Sequence, residues 1–341
     1  MHRPLRLTLD RAALQSNWRW LGDRAGVEAG AAVKADGYGL GAQEVVAALS
    51  EAGCRTFFVS TWAEAANLEM PDSCELVVLH GVGADDGEAA LASPARPVLN
   101  TLEQVARWRE IAPGQPCDVM VDTGMNRLGL RADEVGALES LAIDTLHSHL
   151  ACADADSGMN ARQLEAFRAL AGSVRAKRCS LANSAGICLG SDYSFDLVRP
   201  GLALYGGVPR PEAADHIRQV ARVEAQIVQR RRIRAGESCG YGATFVAEAD
   251  TEAAILNLGY ADGYLRGFSA RGAAFAGEFA LPVIGRVSMD LITVDCDAAP
   301  ELKEGDWVEL DYDLPTASQQ SGLSQYELLT TLGSRFERRW V

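Results

Sequence analysis

The first two-thirds of this 341-residue chain alternates short apolar runs with longer stretches whose apolar residues recur at helical spacing. Short runs that are apolar or β-branched and bounded by turn residues predict strands. Eight such runs occur, near residues 31–34, 56–60, 76–80, 97–99, 118–122, 145–150, 179–183 and 196–205. Eight alternating units predict a (β/α)8 barrel rather than a six-stranded open sheet.

The hydrophobic pattern changes after about Val220, where helical periodicity fades and short segments with the alternation of β-strands follow. These strands are expected in the segments VEAQIVQRRRI, EAAILNLGY, VSMDLITVDC and DWVELDY, with glycine-containing turns between them. The chain also exceeds the size at which one hydrophobic core usually stops growing. We therefore expect an α/β protein with a barrel over residues 1–221 and a mainly-β domain over 222–341. The first few residues are candidates for pairing with the second domain.

The charge and the termini of the sequence argue against several classes of partner and location. A formal net charge of −14 and a pI near 4.9 repel nucleic acid and anionic lipid. No stretch has the composition of a membrane span, and the first residues lack the apolar core of a secretory signal, so a cytoplasmic protein is expected. The eight cysteines include no CxxC pair, so we expect reduced thiols and no metal site.

Polar residues follow the predicted barrel strands at their carboxyl ends, where barrels of this kind gather their reactive groups. The positions are Lys34, the run from Asp122 to Arg127, His149, Asn183 with Ser184, and the run from Arg199 to Gly201. Ser184, the backbone near Gly201 and the Tyr38 hydroxyl are together a candidate phosphate site, because a dianion needs several converging donors.

Lys34 is the most informative of these residues, because the chain has only three lysines and the other two lie in a helix end and a turn. A barrel interior desolvates an ammonium group at a cost of several kcal/mol unless something compensates. Desolvation also lowers the amine pKa and makes lysine nucleophilic toward the aldehyde of pyridoxal 5'-phosphate. The alternative is a lysine at the strand tip whose ammonium group reaches solvent.

The segment GYGLGA after the first strand has the G-x-G-x-x-A spacing of a dinucleotide-binding turn. A nicotinamide enzyme is therefore one alternative. The count of eight units and the lysine that directly precedes the segment favour a barrel loop.

Eight motifs spread along the chain resemble those of the alanine racemase family, in the order of that family: VKADGYGLG, DTGMNRLGL, HSHLACAD, LANSAGICLG, DLVRPGLALYGG, CGYGATF, LGYADGY and GRVSMD. The resemblance covers nearly the whole chain. It implies a pyridoxal-phosphate barrel with a carboxy-terminal β domain and a homodimer whose active sites borrow residues from the neighbouring subunit. The implied activity interconverts L-alanine and D-alanine, to supply D-alanine for peptidoglycan or to catabolise alanine.

The same resemblance implies roles for individual residues. Lys34 would carry the cofactor as an imine and act as the base for the D-enantiomer, and Tyr241 would act on the L-enantiomer. Arg199 would face the pyridine nitrogen, and Arg127 would bind the substrate carboxylate. The other implied positions are Tyr38, Asn183, Ser184, Gly201 and Leu202 for the cofactor and its phosphate, His149 for the Tyr241 and Arg199 side of the cofactor site, Met289 for the substrate, and Tyr260 and Asp290 for the entrance.

These roles agree with the chemistry of racemisation, which moves a proton off one face of Cα and onto the other. Lysine and tyrosine both have reference pKa values near ~10, so each must be shifted or hydrogen-bonded to act near neutrality. Arginine is always protonated and offers no acceptor, so the pyridine nitrogen that it faces stays neutral. A neutral ring is a weaker electron sink, which favours reprotonation over transamination.

Two positions depart from the commonest family pattern: Met120 stands where many relatives have a lysine that steadies the carboxylate-binding arginine, and Asn126 replaces a frequent glycine. Two further alternatives remain open at this stage. A decarboxylase built on the same barrel would share Lys34, and a non-catalytic pyridoxal-phosphate carrier would need the barrel alone. Preference for alanine over serine, the metabolic role and the strength of the dimer also stay open.

Overall fold

The computed structural model describes residues 3–341, which form two compact units. The first, here called the barrel unit, is Leu14–Arg218. The second, here called the β unit, combines Gln219–Val341 with the amino-terminal residues up to Ala13. Within residues 3–341, no helix has both the length and the apolarity that crossing a bilayer requires.

The elements are numbered along the described chain. The strands are β1 (Leu5–Leu9), β2 (Glu28–Ala29), β3 (Ala31–Ala32), β4 (Thr56–Val59), β5 (Glu75–Val78), β6 (Arg96–Leu99), β7 (Pro116–Met120), β8 (Ala142–His147), β9 (Arg178–Ser180), β10 (Leu197–Val198), β11 (Ala221–Ile233), β12 (Ser238–Cys239), β13 (Phe245–Val246), β14 (Thr251–Leu256), β15 (Ala273–Ala276), β16 (Phe279–Ile284), β17 (Ile292–Asp295), β18 (Trp307–Leu310) and β19 (Glu337–Trp340). The helices are α1 (Arg11–Ala25), α2 (Lys34–Tyr38), α3 (Ala42–Ala52), α4 (Trp62–Ala66), α5 (Gly87–Ala92), α6 (Leu102–Ile111), α7 (Gly158–Ala171), α8 (Ser184–Cys188), α9 (Leu314–Ser321) and α10 (Gln325–Thr330). Short 3-10 turns lie at Ala132–Leu138, Ser191–Tyr193, Leu202–Tyr205, Pro211–Ala213, Tyr241–Ala243, Tyr260–Asp262 and Arg266–Phe268.

The barrel unit is built on parallel strands in sequence order, because β3 to β9 form one sheet with each strand beside the next. The last strand, β10, closes the ring. It pairs in parallel with β2, and the Ala32 amide continues that edge by donating to the Pro200 carbonyl at 2.9 Å. On its other side the Arg199 amide donates to the Ala182 carbonyl, also at 2.9 Å. With β2 and β3 counted as one strand, the predicted (β/α)8 barrel is confirmed.

Local sequence explains the helices that surround these strands. The side chains of Thr61, Thr101 and Ser157 cap the amino ends of α4, α6 and α7 by accepting backbone N–H groups, which helix ends otherwise leave unpaired. Gly53 ends α3 in the left-handed conformation, which costs glycine little. The strands between are buried along their length, as β4 shows, and this is typical of a parallel sheet covered by helices.

Several predicted strand ends were wrong: strands six and seven, for example, were expected to run to residues 150 and 183, but β8 ends at His147 and β9 at Ser180. Strand one was expected to run to Lys34, but β3 ends at Ala32 and Lys34 begins α2. Strand eight was expected to run from residue 196 to 205, but β10 ends at Val198. Pro200 has no N–H for a ladder, and Gly201 starts the 3-10 turn that follows.

The β unit is a mostly antiparallel sheet in the order β14-β17-β16-β15-β18-β11-β1-β19, with a further pairing of β14 and β11. The 13-residue strand β11 is its central strand and pairs with β1, β18 and β14. The pairing with β14 has a register shift between Ile227 and Gln229. Leu5, Leu7 and Leu9 of β1 are buried in it. The predicted mainly-β second domain is confirmed, and residues 5–9, which form β1, pair into this unit.

Candidate active site

Lys34 stands just after the first barrel strand, at the beginning of a turn with left-handed backbone. Ala35, Asp36 and Tyr38 have φ of 53°, 53° and 55°. This conformation costs residues other than glycine roughly 1–2 kcal/mol each. The Glu64 carboxylate holds the turn, because its Oε1 accepts the Ala35 amide at 2.8 Å. Strained backbone of this kind is concentrated at functional sites, where neighbouring contacts impose it.

The environment of Lys34 favours its neutral amine. Burial lowers the pKa of the Lys34 ammonium, and the positive charges of Arg127 and Arg199 lower it further, while Glu64 acts in the opposite direction. A larger neutral fraction makes the amine a better nucleophile near neutral pH. The role of Lys34 as the cofactor-bearing lysine stays a prediction.

Arg127 lies exposed in the loop that follows β7, and Asp122 shapes that loop. The Asp122 carboxylate accepts three successive backbone amides, from Gly124, Met125 and Asn126, each at 2.8 Å. Asn126 adopts φ 55°, a left-handed value that asparagine tolerates better than most residues. Sequence reasoning had left the support of Arg127 open, because Met120 replaces the usual lysine, and had not singled out the Asp122 side chain for it.

The cofactor-binding candidates after the last two barrel strands form one cluster. The Ser184 hydroxyl oxygen accepts the amides of Gly201 at 3.0 Å and Ala203 at 3.2 Å. Asn183 caps α8 by accepting the Gly186 amide at 2.9 Å. Both hydrogen bonds to Ser184 use its oxygen as acceptor, so the hydroxyl proton remains for a ligand.

Tyr38 joins this cluster from the first strand. Its ring stacks on Tyr205 with centroids 4.6 Å apart. A Cβ at Gly201 would collide with the Tyr38 hydroxyl, so only glycine fits there. Leu202 is buried at the start of the 3-10 turn that follows. The structure thus brings together the residues that the sequence assigned to a phosphate site.

Arg199 is buried at the end of β10 and held on three sides. Its Nη2 donates to the Ser148 carbonyl at 2.5 Å, and its Nη1 donates to the Ser180 hydroxyl and lies 3.2 Å from Nδ1 of His147. The other ring nitrogen of His147, Nε2, lies 2.9 Å from the buried carboxylate of Asp118. Burial lowers the pKa of Arg199 to about 10, so it stays protonated at neutral pH.

Sequence reasoning missed His147 and Asp118. Two signals were available: His147 and His149 alternate at the end of a strand, and Asp118 is a charged residue between apolar ones in β7. His149, which the sequence did single out, has a strongly lowered pKa. Burial lowers its pKa to about 3, helped by the positive charges of Arg199, Arg127 and Lys34. Gln163 holds the segment by donating to the His149 carbonyl at 2.9 Å.

The remaining candidates lie in the β unit. Tyr260 and Met289 are brought together, because the Tyr260 amide donates to the Ser288 carbonyl and the next amide donates to the Met289 carbonyl, both at 3.0 Å. Asp290 follows and pairs with Arg335 at 2.7 Å. Tyr241 lies in a 3-10 turn of the segment between β12 and β13, and it is 69% exposed. The placement of Tyr241 opposite Lys34 stays a prediction.

The residues at the barrel mouth fit pyridoxal 5'-phosphate. Lys34 supplies a partly desolvated amine for the aldehyde, and Arg127 and Arg199 add positive charge that suits an anionic ligand. The Ser184 hydroxyl and the close backbone approach at Gly201 suit a phosphate group. His147 lies 3.2 Å from Nη1 of Arg199 through its Nδ1.

Comparison with known proteins agrees with this geometry. The family profiles "Alanine racemase, N-terminal domain" and "Alanine racemase, C-terminal domain" match residues 9–209 and 220–340. Agrobacterium fabrum has two relatives: a catabolic alanine racemase, 40% identical over 98% of this chain and 92% of its own length, and a biosynthetic one, 39% identical over 99% and 94%. The crystal structure of alanine racemase from Bartonella henselae with covalently bound pyridoxal phosphate superposes with a TM-score of 0.92, at 36% identity over the whole of both chains. The chain described here belongs to the alanine racemase family.

Proposed function

We propose that this chain racemises alanine, with Lys34 and Tyr241 moving the Cα proton on opposite faces of the substrate. The family is one of pyridoxal-phosphate-dependent isomerases, and that reaction class is the framework for the residue roles. The observation that carries the proposal is the position of Lys34, which follows the first barrel strand in a left-handed turn held by Glu64, where the charges of Arg127 and Arg199 act on its amine. An amine in this setting serves both as the attachment point and as a proton carrier.

Bound pyridoxal phosphate supplies an aldehyde for the amine and a conjugated ring that stabilises negative charge at Cα. Arg199 would limit that stabilisation, because a guanidinium that faces the ring nitrogen can only donate a hydrogen bond and would favour the unprotonated nitrogen. Lys34 Nζ takes the Cα proton on one face, and Tyr241 Oη gives one on the other. Arg127 binds the substrate carboxylate from a loop that Asp122 has already ordered.

The same proposal includes a homodimer in which Tyr241 acts in the neighbouring subunit's site. Tyr241 and Met289 are 69% and 53% exposed on the β unit, and Val246, Phe279 and Leu291 are exposed there too. Large apolar side chains exposed on one unit support an interaction surface. A second copy of this chain would cover them.

The first test maps the cofactor. Borohydride reduction of the holoenzyme followed by peptide analysis is expected to place the adduct on Lys34, and an adduct on Lys177 or Lys303 would refute the assignment. Incubation with L-alanine and with L-ornithine separates racemase from decarboxylase. We expect D-alanine from the first and neither carbon dioxide nor a diamine from the second.

The second test addresses Tyr241 and the dimer together. Tyr241→Phe is expected to lose racemisation in both directions, and an unchanged rate would refute the two-base assignment. Lys34→Ala and Tyr241→Phe should each be inactive alone. When the two variants are co-expressed, shared sites predict recovery of activity, since a mixed dimer then contains one site with both groups intact. Recovery would not occur if each subunit used its own Tyr241.

A further inference from the structure

A continuous line of polar side chains crosses the interior of the barrel unit, although barrels of this kind are normally filled by apolar layers. Its members come from successive strands: Arg96 on β6, Asp118 on β7, His147 on β8, Ser180 on β9 and Arg199 just after β10. Asp118, His147 and Ser180 have no solvent-exposed area. Buried polar groups must satisfy one another, so each contact in the line restricts the next.

The contacts are well defined. Asp118 Oδ1 accepts from Arg96 Nε at 2.6 Å, and its Oδ2 lies 2.9 Å from Nε2 of His147. Nδ1 of His147 lies 3.2 Å from Nη1 of Arg199. Ser180 donates its hydroxyl proton to the Leu197 carbonyl at 2.6 Å, which leaves its oxygen to accept from the same Nη1.

These partners determine the protonation of His147. A carboxylate can only accept, so Nε2 carries a proton toward Asp118. A guanidinium can only donate, so Nδ1 must be unprotonated toward Arg199. His147 is therefore neutral, in the Nε2–H form. Burial lowers the pKa of His147 to about 4, which agrees with this state.

We propose that His147 is a positioning residue for Arg199: in its Nε2–H form, imposed by Asp118, it accepts from the guanidinium and aims the remaining N–H groups at the cofactor's ring nitrogen. This inference rests on the proposed function, because the role of Arg199 does. The three contacts to His147, Ser180 and the Ser148 carbonyl engage Nη1 and one side of Nη2. They leave Nε–H and one Nη2–H for a ligand.

The His147 ring is held in place by its own neighbours, so it can fix the orientation of the Arg199 guanidinium. The ring of Phe58 meets it edge to face, with centroids 6.0 Å apart and planes at 87°. A carboxylate bound to one nitrogen of an imidazole also strengthens the other nitrogen as an acceptor, as it does for metal-binding histidines. Asp118 thus acts on Arg199 through His147.

The direct test is the tautomer of His147 in the holoenzyme, read from long-range nitrogen–proton NMR spectra. The chain has five histidines, so substituting the other four one at a time assigns His147 by elimination while the residue itself stays in place. His216→Asn is the matched control, because that ring stacks on Trp20, away from this line. We expect a proton on Nε2 and none on Nδ1 at pH 7. A protonated Nδ1 would overturn the inference.

A pair of variants tests the consequence for the cofactor. His147→Asn places an amide oxygen where Nδ1 lies and keeps an acceptor for Arg199, whereas His147→Gln places an amide nitrogen where Nε2 lies and keeps only the donor to Asp118. We expect His147→Gln to lower kcat/KM by about 10- to 100-fold and to shift the absorbance maximum of the bound cofactor, and His147→Asn to do less of both. Equal effects would overturn the inference.

The two levels of proposal can fail separately. If the protein does not racemise alanine, the proposed function fails whatever the tautomer of His147. If it racemises alanine and Nδ1 carries the proton, the proposed function stands and only the positioning role of His147 is lost.

Discussion

The Glu64 carboxylate accepts the amide of Ala35 at 2.8 Å, which fastens the left-handed turn next to Lys34 to the beginning of α4. The other oxygen of Glu64 accepts the Ser60 amide at 2.6 Å. One side chain therefore satisfies backbone groups from two consecutive strand ends of the barrel. Its negative charge also opposes the lowering of the Lys34 pKa.

Glu64→Ala is expected to reduce the free energy of unfolding by about 0.5–1.5 kcal/mol, because the exposed Ala35 and half-buried Ser60 N–H groups lose their acceptor. Glu64→Gln keeps one acceptor oxygen and should cost less. Both variants remove the charge, so the Lys34 amine should titrate at lower pH than in the unsubstituted protein. The pH dependence of cofactor uptake by the apoprotein measures this. Glu103→Ala, in the exposed first turn of α6, is the control and should change neither quantity.

Gly201→Ala is expected to displace Tyr38 and weaken cofactor binding, because the new Cβ would collide with the tyrosine hydroxyl. Overpacking of this kind costs about 1–3 kcal/mol. Adding Tyr38→Phe should recover part of the loss. Cofactor dissociation constants for the single and double variants give the coupling, and strictly additive losses would contradict the contact. Gly136→Ala, with no atom within 4 Å of its Cβ, should bind cofactor normally.

Arg335 is expected to stabilise the β unit through Asp262 rather than Asp290. Its Nη2 pairs with the fully buried Asp262 at 2.7 Å and its Nη1 pairs with the exposed Asp290 at the same distance. Arg335→Met should therefore cost about 1–3 kcal/mol, since it removes the charged partner of the buried Asp262 carboxylate while Arg335 itself is partly exposed. Asp290→Asn should cost at most about 1 kcal/mol. Urea unfolding of both variants decides this, and comparable losses would show that Asp262 is compensated elsewhere.

The stability of the protein is expected to fall on acidification between pH 6.5 and about 4, partly because of His147. Its pKa is about 4 when folded, against 6.5 for an unperturbed histidine, so the unfolded chain binds the proton first. The associated stability is fully present above pH 6.5 and is lost toward pH 4. For this buried ring the loss is about 3 kcal/mol.

Burial is the largest cause of the lowered His147 pKa. Of the charged groups around the ring, Asp118 favours the protonated form, and Arg199 and Arg96 oppose it. Urea unfolding across pH 4–7.5 measures the effect. His147→Asn cannot titrate, so its stability should depend less on pH in that range. An identical pH profile for the variant and the unsubstituted protein would show that His147 is not protonated on unfolding.

The barrel strands were predictable because each is a short apolar run between turn residues, and burial on both faces requires that pattern. Lys34 was predictable as a chemical group for a related reason: a lysine in an apolar run is costly and therefore informative. The ends of several strands, including strands one and eight, were not. The left-handed turn after Val33 depends on Glu64, a residue 29 positions beyond Ala35, and no local pattern encodes that contact.

In the site, too, short sequence motifs were predictable, whereas the contacts that hold them in place were not. The loop of Arg127 was identified from its motif, but its support by Asp122 emerges only when three backbone amides turn toward one carboxylate. His149 was singled out, whereas His147, two residues earlier, was missed. The two differ in their neighbours across the barrel, not in their residue type.

The amino-acid sequence by itself determined the order of strands and helices, the change to a β domain and the residue types that could do chemistry, because periodicity and composition act over short stretches of chain. Tertiary structure decided the hydrogen-bond partners of His147, the direction of the Arg199 guanidinium and the close packing of Tyr38 against Gly201. Each depends on a partner from another strand, and hydrogen bonding and desolvation are set by what surrounds a group in space.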